Sequence, residues 1–388
     1  MLPQHMGGIK RVLSILVKEW ENECNIVIIS VAPIGTRYDI FGKAKQRIFP
    51  NTKDILSCEN IEYFKEVIQE SNIDIILQPY ANNEALTRLC VKIKQELNTK
   101  LFIAVHFAIT YQEDILKSYF FNRYRIGGSI VKWIKEILLY LKYLFITKRN
   151  IREHNNAYYR FIIENSDKII LLSESHINTL KQIYKSNNIN NVICINNPAI
   201  ISTNNKNICK SKKIIWCGRV ECSAKRADRI VDIWKEIAPK YPDWEVIIIG
   251  SGDIEHFRKI CQEHNIPNIR FAGSCDPTEF YKQGEIICMT SSTEGWGMVL
   301  IEAMLHGCVP IAYNSYTSLQ DIITENYNGF TVTPYNKKEY IEKLKILMDD
   351  RELRERLSKT GYESIKRFDH KTIAKKWLDI FSEEITIG

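Results

Sequence analysis

WEVIIIGSGD, at residues 244–253, is an apolar run that ends in a glycine turn. Four successive Val and Ile residues suit a strand covered on both faces, and the glycines after them allow a tight turn. Similar apolar runs lie on either side of it. They are KIIWCGR at 213–219, NIRFAG at 268–273, EIICMTS at 285–291 and VPIAYN at 309–314. Such runs, separated by helical patterns, predict a parallel sheet with helices on both faces, which is a doubly wound α/β domain.

The first half of the chain repeats this scheme. Its apolar runs are NIVIISVA at 25–32, IDIILQP at 73–79, KLFIAVHF at 100–107 and DKIILLS at 167–173. The stretch 197–211 gathers Asn, Ser, Thr and Lys without apolar periodicity, which is typical of a linker. The 388 residues therefore predict two doubly wound domains, at 1–198 and 199–370, each long enough to bury its own core.

Ligands in such folds bind beyond the carboxyl ends of the strands, so the loops at that edge are where chemistry is expected. The most informative one lies in SSTEGWGMVLIEAMLHGCVPIA, 291–312, which leaves a strand, crosses a small loop and enters an apolar helix with one charge, Glu302. Glu294 stands eight residues earlier, so both carboxylates can line one cleft. Gly295 and Gly297 leave the backbone N–H groups at the helix start open to a phosphate. The alternative for Glu302 is an ordinary surface carboxylate, since burying it without a ligand or partner is costly.

This run resembles glycosyltransferase family 4, whose signature is Glu-x7-Glu on a strand, loop and helix. Glu294 and Glu302 match that signature, and the likeness continues through His306-Gly307. The resemblance implies the GT-B fold, in which two Rossmann-like domains face each other across a cleft and a C-terminal helix, here 371–388, returns to the first domain. It also implies a retaining enzyme, similar to bacterial surface-polysaccharide glycosyltransferases. Such an enzyme would move a hexose or N-acetylhexosamine from a nucleotide diphosphate sugar, UDP-linked, to a glycan or lipid-linked acceptor.

Other residues match the family in the same order along the chain. Gly7 and Gly8, before a helix start, resemble the glycine loop that approaches the donor phosphates, although a Gly-Gly pair by itself is a weak signal. Gly218 and Arg219, with Lys225, resemble the residues at the diphosphate, for which the alternative is a pair of solvated charges. The catalytic residues that the resemblance implies are Glu294, Arg219, Lys225 and His106. The donor-binding residues that it implies are Gly7, Gly8, Gly218, Gly295, Trp296, Gly297, Met298, Val299 and Glu302.

His106 ends the strand LFIAVH at the ligand edge of the first domain. A single histidine is more often structural than functional, but similarity to the family's histidine at this place implies contact with the donor hexose. One feature departs from the family pattern: only MLPQHM precedes Gly7, where relatives usually carry a first strand. We expect that strand to be missing, or the start of this sequence to lie downstream of the true one.

The glycines at Gly250 and Gly252 follow a strand but lack the third glycine of a dinucleotide fingerprint, so they predict a turn beside the nucleotide site and not an NAD site. No Asp-x-Asp triplet occurs, which removes the usual ligand pair for a metal on a nucleotide diphosphate. We therefore expect no metal and no other cofactor. Arg219, Lys225 and the amides at the start of the helix would stabilise the leaving diphosphate.

The net charge of +7 comes from one segment: residues 117–160 hold ten basic and two acidic side chains. Within it, Lys132, Lys135 and Lys142 interrupt an apolar and aromatic stretch at nearly helical spacing, as in basic helices that lie on anionic membranes. The alternative is a helix packed on its own domain with a solvated lysine edge. Nucleic acid is not expected as a partner, because too many aliphatic residues lie among the aromatic ones for a groove in which bases could stack.

The chain has no run of about 18 apolar residues, no recognisable secretory signal and eleven scattered cysteines without Cys-x-x-Cys pairs. We therefore expect a cytoplasmic protein, peripheral on the inner face of the plasma membrane. Two other functions remain open. A nucleotide-sugar epimerase has a similar fold but no use for the basic segment, and a non-catalytic membrane-bound scaffold would not need the Glu294 and Glu302 pair.

Overall fold

The computed structural model describes residues 8–31, 38–115, 138, 141, 148–184, 189–201 and 210–386. By residue contacts the chain divides into two units. Unit 1 comprises Met1–Phe107, His154–Ile200 and Phe368–Gly388, and unit 2 comprises Ala108–Glu153 and Ile201–Arg367. The sequence-based divisions after residues 198 and 370 lie next to these limits. The sequence analysis assigned residues 108–115 and 148–153 to the first domain, but they group with unit 2.

Strands and helices alternate along most of the described chain, which ends in three successive helices. The strands are β1 (Val27–Ser30), β2 (Lys45–Ile48), β3 (Ile75–Gln78), β4 (Lys100–Val105), β5 (Lys168–Leu171), β6 (Val192–Cys194), β7 (Lys213–Cys217), β8 (Glu245–Ile249), β9 (Ile269–Gly273), β10 (Ile286–Met289), β11 (Val309–Tyr313) and β12 (Phe330–Val332). The helices are α1 (Gly8–Trp20), α2 (Cys58–Ser71), α3 (Glu84–Glu96), α4 (Lys148–Asn165), α5 (Glu174–Tyr184), α6 (Ala227–Ile237), α7 (Ile254–Glu263), α8 (Thr278–Gln283), α9 (Met298–Leu305), α10 (Lys337–Asp349), α11 (Arg351–Ile365) and α12 (His370–Thr386). Short 3-10 turns span Tyr38–Phe41, Ala238–Lys240, Thr317–Asp321 and Lys366–Phe368.

The described residues of unit 1 form two parallel sheets. One pairs β1 with β2, and the other has the order β3-β4-β5-β6. The four apolar runs of the first half form β1, β3, β4 and β5, as predicted. Strands β2 and β6, and the division into two sheets, were not predicted, because KQRI is charged and largely exposed and VIC is only three residues long. The expectation of a missing first strand concerns residues 1–7, which lie outside the described residues.

The C-terminal helix α12 packs against α1 within unit 1. The Trp20 ring meets those of Trp377 and Phe381 edge to face, at centroid distances of 5.7 and 5.2 Å. The Trp20 indole N–H also donates to the Ala374 carbonyl at 3.2 Å. Buried aromatic pairs of this kind stabilise a fold by more than their buried apolar area alone. The C-terminal helix therefore packs on unit 1, as predicted.

In the part of unit 2 that the structure describes, the strands form one parallel six-stranded sheet in the order β12-β11-β10-β7-β8-β9. The chain moves outward from β7 to β9 and then returns to the other side of β7 with β10. Strands β7 and β10 are therefore neighbours, with Ile214 opposite Ile286. Between their carboxyl ends lies the topological switch point, where doubly wound sheets bind ligands. All five predicted runs of this half form strands; β12 is an addition that the sequence analysis missed.

No helix within the described ranges is both long enough and apolar enough to cross a lipid bilayer.

Candidate functional site

Two loops meet at the switch point of unit 2: residues 218–226 follow β7, and residues 290–297 follow β10. They are joined through Thr290, whose hydroxyl accepts from the Trp216 indole at 2.9 Å and donates to the Arg226 carbonyl at 2.9 Å. The Ser292 amide adds a bond to the Ala224 carbonyl at 2.7 Å. Bonds that cross between the loops, made by buried groups, hold them in a fixed relation to each other.

The loop after β7 also rests directly on the turn after β8. A Cβ atom added at Gly250 would lie 1.8 Å from the Gly218 carbonyl oxygen, and one at Gly252 would lie 2.3 Å from that of Val220. Both glycines have positive φ angles, 143° and 135°. Only glycine lets the two backbone segments come this close. Gly250 and Gly252 therefore allow the turn after β8 to pack against the loop after β7.

Glu294 lies at the centre of the second loop with its side chain 10% exposed. Lys225 donates to both of its carboxylate oxygens at 2.6 Å. The Ser291 hydroxyl donates to Oε1 at 2.7 Å. The structure thus brings together two of the predicted catalytic residues, one from each loop.

Arg219 extends from the loop after β7 with its side chain 73% exposed. Its nearest carboxylate is Glu221, 3.8 Å from Nη1, a contact too long and too exposed to hold the guanidinium firmly. Arg219 therefore gives this edge of the sheet a positive charge that can turn toward an anion, beside the Lys225 ammonium paired with Glu294.

Helix α9 begins at Met298, directly after this loop. Gly297 precedes it with a φ of 99°, and a Cβ atom there would lie 2.7 Å from the Tyr316 hydroxyl. The Gly295 carbonyl accepts from the Ser318 hydroxyl at 2.9 Å. The N–H groups in the first turn of a helix have no partners within it and attract negative charge. The side chain of Trp296 is only 2% exposed and belongs to the core.

Glu302 is half-buried on α9, one turn beyond Met298 and Val299. Burial raises the pKa of the Cys217 thiol at the end of β7 to about 11, and the negative charge of Glu302 acts in the same direction. The second carboxylate of the signature is thus close enough to the carboxyl end of β7 for its charge to act on Cys217.

The remaining predicted site residues belong to unit 1. His106 follows β4, and burial lowers the pKa of its imidazole to about 4, against a smaller opposing effect of a hydrogen bond with Asn197. It is therefore neutral at pH 7. Gly8 is the exposed first residue of α1, and Gly7 lies outside the described residues.

Sequence reasoning gave no role to two polar residues at the site. Ser291 was included as the first residue of the loop expected to carry chemistry, but nothing in the pattern marks its hydroxyl as a partner of Glu294. Tyr111, in the part of unit 2 before the basic segment, is 39% exposed. Burial raises the pKa of its phenol, and the charges of Glu221, Lys225, Arg219 and Glu294 act on it as well. An electrostatic interaction between residues so far apart in sequence leaves no local signal.

Among the described residues, no group of three or more His, Cys, Asp and Glu side chains is placed to hold a metal ion.

Residues 201–364 match the family model of glycosyl transferases group 1. The matched range covers all six strands of the sheet of unit 2 and every residue of the two site loops. The Lys225–Glu294 pair and α9 therefore lie inside the glycosyl transferase match.

Individual proteins with similar sequences match more than half of the chain. An uncharacterized glycosyltransferase of Haemophilus influenzae is 29% identical over 222 residues, which are 56% of this chain and 62% of that protein. The poly(ribitol-phosphate) alpha-N-acetylglucosaminyltransferase of Staphylococcus aureus is 25% identical over 231 residues, 58% of this chain and 46% of that protein. The matches thus span less than two thirds of either relative.

The crystal structure of Anabaena HepE in complex with UDP and glucose superposes with a TM-score of 0.74, at 13% identity, over 98% of this chain and 97% of that one. At this identity the likeness concerns the fold. It confirms the predicted two-part α/β architecture along almost the whole chain.

Proposed function

We propose that this protein is a retaining glycosyltransferase of family 4 that transfers a hexose or N-acetylhexosamine from a nucleotide diphosphate sugar. The observation that carries the proposal is the Lys225–Glu294 pair at the switch point of unit 2, directly before the start of α9. A cation, a carboxylate and the start of a helix at one edge suit a ligand that joins a diphosphate to a sugar.

In this proposal Arg219, Lys225 and the N–H groups at the start of α9 bind the diphosphate and stabilise its charge as it departs. Glu302 accepts hydrogen bonds from the ribose hydroxyls, and Glu294 orients the hydroxyls of the transferred sugar. As the family resemblance implies, His106, whose imidazole is neutral, would contact the donor hexose, and Gly7 and Gly8 would contact the donor phosphates. UDP is the proposed nucleotide, supported by the HepE complex with UDP and glucose.

The proposed reaction needs no metal, because Arg219 and Lys225 supply the positive charge at the departing diphosphate. The acceptor hydroxyl attacks the anomeric carbon on the face that the diphosphate leaves, and its proton passes to a phosphate oxygen of the donor. The anomeric configuration is then retained. Neither Glu294 nor Glu302 acts as a nucleophile.

We propose further that the acceptor is a glycan or a lipid-linked glycan, reached at the cytoplasmic face of the membrane through the basic segment 117–160. Lys132, Lys135 and Lys142 lie outside the described residues. Two described residues of the segment support the proposal: Leu138 and Leu141, one helical turn apart, are 60% and 42% exposed. Exposed leucines amid lysines are typical of helices that lie in the headgroup layer.

The direct test is a screen of nucleotide sugars for hydrolysis or transfer, with and without EDTA. We expect turnover of at least one UDP-sugar, equal in both conditions, with retention of the anomeric configuration. Epimerised donor without transfer would favour the epimerase. Donor binding without any turnover would favour the scaffold, and loss of activity on chelation, restored by manganese or magnesium, would contradict the metal-free mechanism.

The membrane proposal is tested by changing Lys132, Lys135 and Lys142 together to Glu. The change should release the protein from vesicles that contain anionic lipid, since each basic residue near such a surface contributes about 1 kcal/mol. High salt should partly mimic it, because salt screens the charges but not the apolar contacts. A matched control changes three exposed lysines of unit 2, Lys235, Lys240 and Lys359, to Glu. Equal sedimentation of both triple variants and the wild type would refute the proposed surface.

A further inference from the structure

The carboxylate of Glu294 is nearly saturated with hydrogen bonds from its own loops. Oε1 accepts from the Ser291 hydroxyl at 2.7 Å and from Lys225 Nζ at 2.6 Å, and Oε2 accepts from Lys225 Nζ at 2.6 Å. An ionised carboxylate offers about four acceptor positions, two on each oxygen. With these contacts in place, a single acceptor position remains, on Oε2.

Ser291 is itself held in place. It follows β10 by two residues and is 3% exposed, so its hydroxyl cannot turn to water. Its carbonyl accepts from the Ser315 hydroxyl at 2.6 Å, which fastens the backbone to the loop after β11. A fixed hydroxyl that donates to one carboxylate oxygen determines which way that carboxylate faces.

We infer that Ser291 is a positioning residue that determines donor-sugar specificity: it occupies Oε1 of Glu294, so that the carboxylate receives one sugar hydroxyl, on Oε2. This inference rests on the proposed transfer of a sugar from a nucleotide diphosphate. Lys225 can bind Glu294 and the donor diphosphate at the same time, because its ammonium group has three N–H bonds and can still direct one toward a phosphate.

Without the Ser291 hydroxyl, Oε1 gains a free acceptor position and the carboxylate can rotate about its last side-chain bond. The site could then accept a hydroxyl in either of two orientations. Sugars that differ only in the configuration of one hydroxyl would be distinguished less well, because the wrong epimer would no longer leave the carboxylate oxygen unpaired.

The test compares UDP-glucose with UDP-galactose, and UDP-N-acetylglucosamine with UDP-N-acetylgalactosamine. For the pair that the wild type discriminates, we expect Ser291→Ala to lower the ratio of the two kcat/KM values about tenfold, since a hydrogen bond to a charged group is worth about that factor or more. The affinity for UDP, which lacks the sugar, should stay unchanged. Ser291→Cys, similar in size and with a weaker donor, should give an intermediate ratio.

Ser318→Ala is the matched control, because it removes a buried hydroxyl that binds the same loop through the Gly295 carbonyl and not through Glu294. It should lower the melting temperature and leave the epimer ratio unchanged. An unchanged ratio in Ser291→Ala, or an equal change in Ser318→Ala, overturns the inference. So does a loss of UDP affinity in Ser291→Ala as large as its loss of turnover. A wild type that turns over none of the four donors contradicts the proposed function instead.

Discussion

Lys225 Nζ lies 2.6 Å from both carboxylate oxygens of Glu294. The two side chains come from loops after different strands, 69 residues apart in the chain, and are 30% and 10% exposed. At this degree of burial, removal of one partner leaves the other charge poorly solvated. The two residues therefore form one ion pair, which we expect to act as a unit, although sequence reasoning assigned them to different parts of the donor.

The first prediction follows from this pairing. We expect Lys225→Ala and Glu294→Gln to be non-additive: the double variant should lose about as much kcat as the more damaging single variant. The coupling energy should be about 1 to 3 kcal/mol, the upper range for residues in direct contact. The measurement is kcat for the wild type and the three variants with one donor and acceptor.

Arg219→Ala combined with Lys18→Ala provides the control cycle, because Lys18 is an exposed residue of α1 in unit 1. That pair should be additive within about 0.5 kcal/mol. Additive losses in the Lys225 and Glu294 cycle would mean that the contact has no role in turnover.

The second prediction concerns Glu302. Glu302→Gln keeps the shape of the side chain and should leave the melting temperature close to that of the wild type. It should weaken nucleotide-sugar binding about ten- to a hundredfold, because a hydrogen bond between a carboxylate and a hydroxyl is worth about 1.5 to 3 kcal/mol. Calorimetric titration measures this directly. Glu342→Gln, at an exposed position on α10, is the control, and equal donor affinity in the two variants would remove Glu302 from the site.

The third prediction separates packing from chemistry at the glycine turn. Gly250→Ala should severely destabilise unit 2, since its Cβ would lie 1.8 Å from the Gly218 carbonyl oxygen. Gly273→Ala is the matched control: its φ is also positive, at 74°, but no heavy atom lies within 4 Å of the added Cβ. It should cost only about the 1 kcal/mol of a left-handed alanine. Melting curves decide between them, and equal losses would show that the close approach does not limit stability.

Local pattern was sufficient to predict most of the strands. Apolar runs such as VIII at 246–249 belong to strands covered on both faces, so a few consecutive residues are enough to predict them. Strand β2, KQRI, has a charged and exposed surface, and its pairing with β1 is a tertiary contact that no local pattern reveals.

The pairing of site residues was harder to predict for the same reason. Glu294 and Lys225 were both expected at the site, but their salt bridge depends on β7 and β10 being neighbours across the switch point. Ser291 was expected in the loop without a role of its own, and Tyr111 was missed altogether. A serine in a loop is common, and only the geometry of that loop turns its hydroxyl toward Glu294.

The last prediction uses a histidine outside the proposed chemistry. His176, in the first turn of α5, is 1% exposed, and neither ring nitrogen has a hydrogen-bond partner in the described structure. Burial lowers the pKa of its imidazole to about 4. In the unfolded chain the same group titrates near 6.5. Between these values the unfolded state binds a proton that the folded state does not, so the free energy of unfolding falls as the pH falls from about 6.5 to 4 and levels off below.

For His176 alone this loss amounts to about 3 kcal/mol, because each pKa unit corresponds to about 1.4 kcal/mol. His176→Phe places an aromatic ring at the same buried position and removes the imidazole that titrates. We expect its melting temperature to depend less steeply on pH between 6.5 and 4 than that of the wild type, with little loss at pH 7.5. His264→Gln, at an exposed position of unit 2, should leave the wild-type slope unchanged. If the His176→Phe and wild-type melting curves shift in parallel over this range, the imidazole is hydrated or paired in the folded protein, and acid destabilisation arises elsewhere.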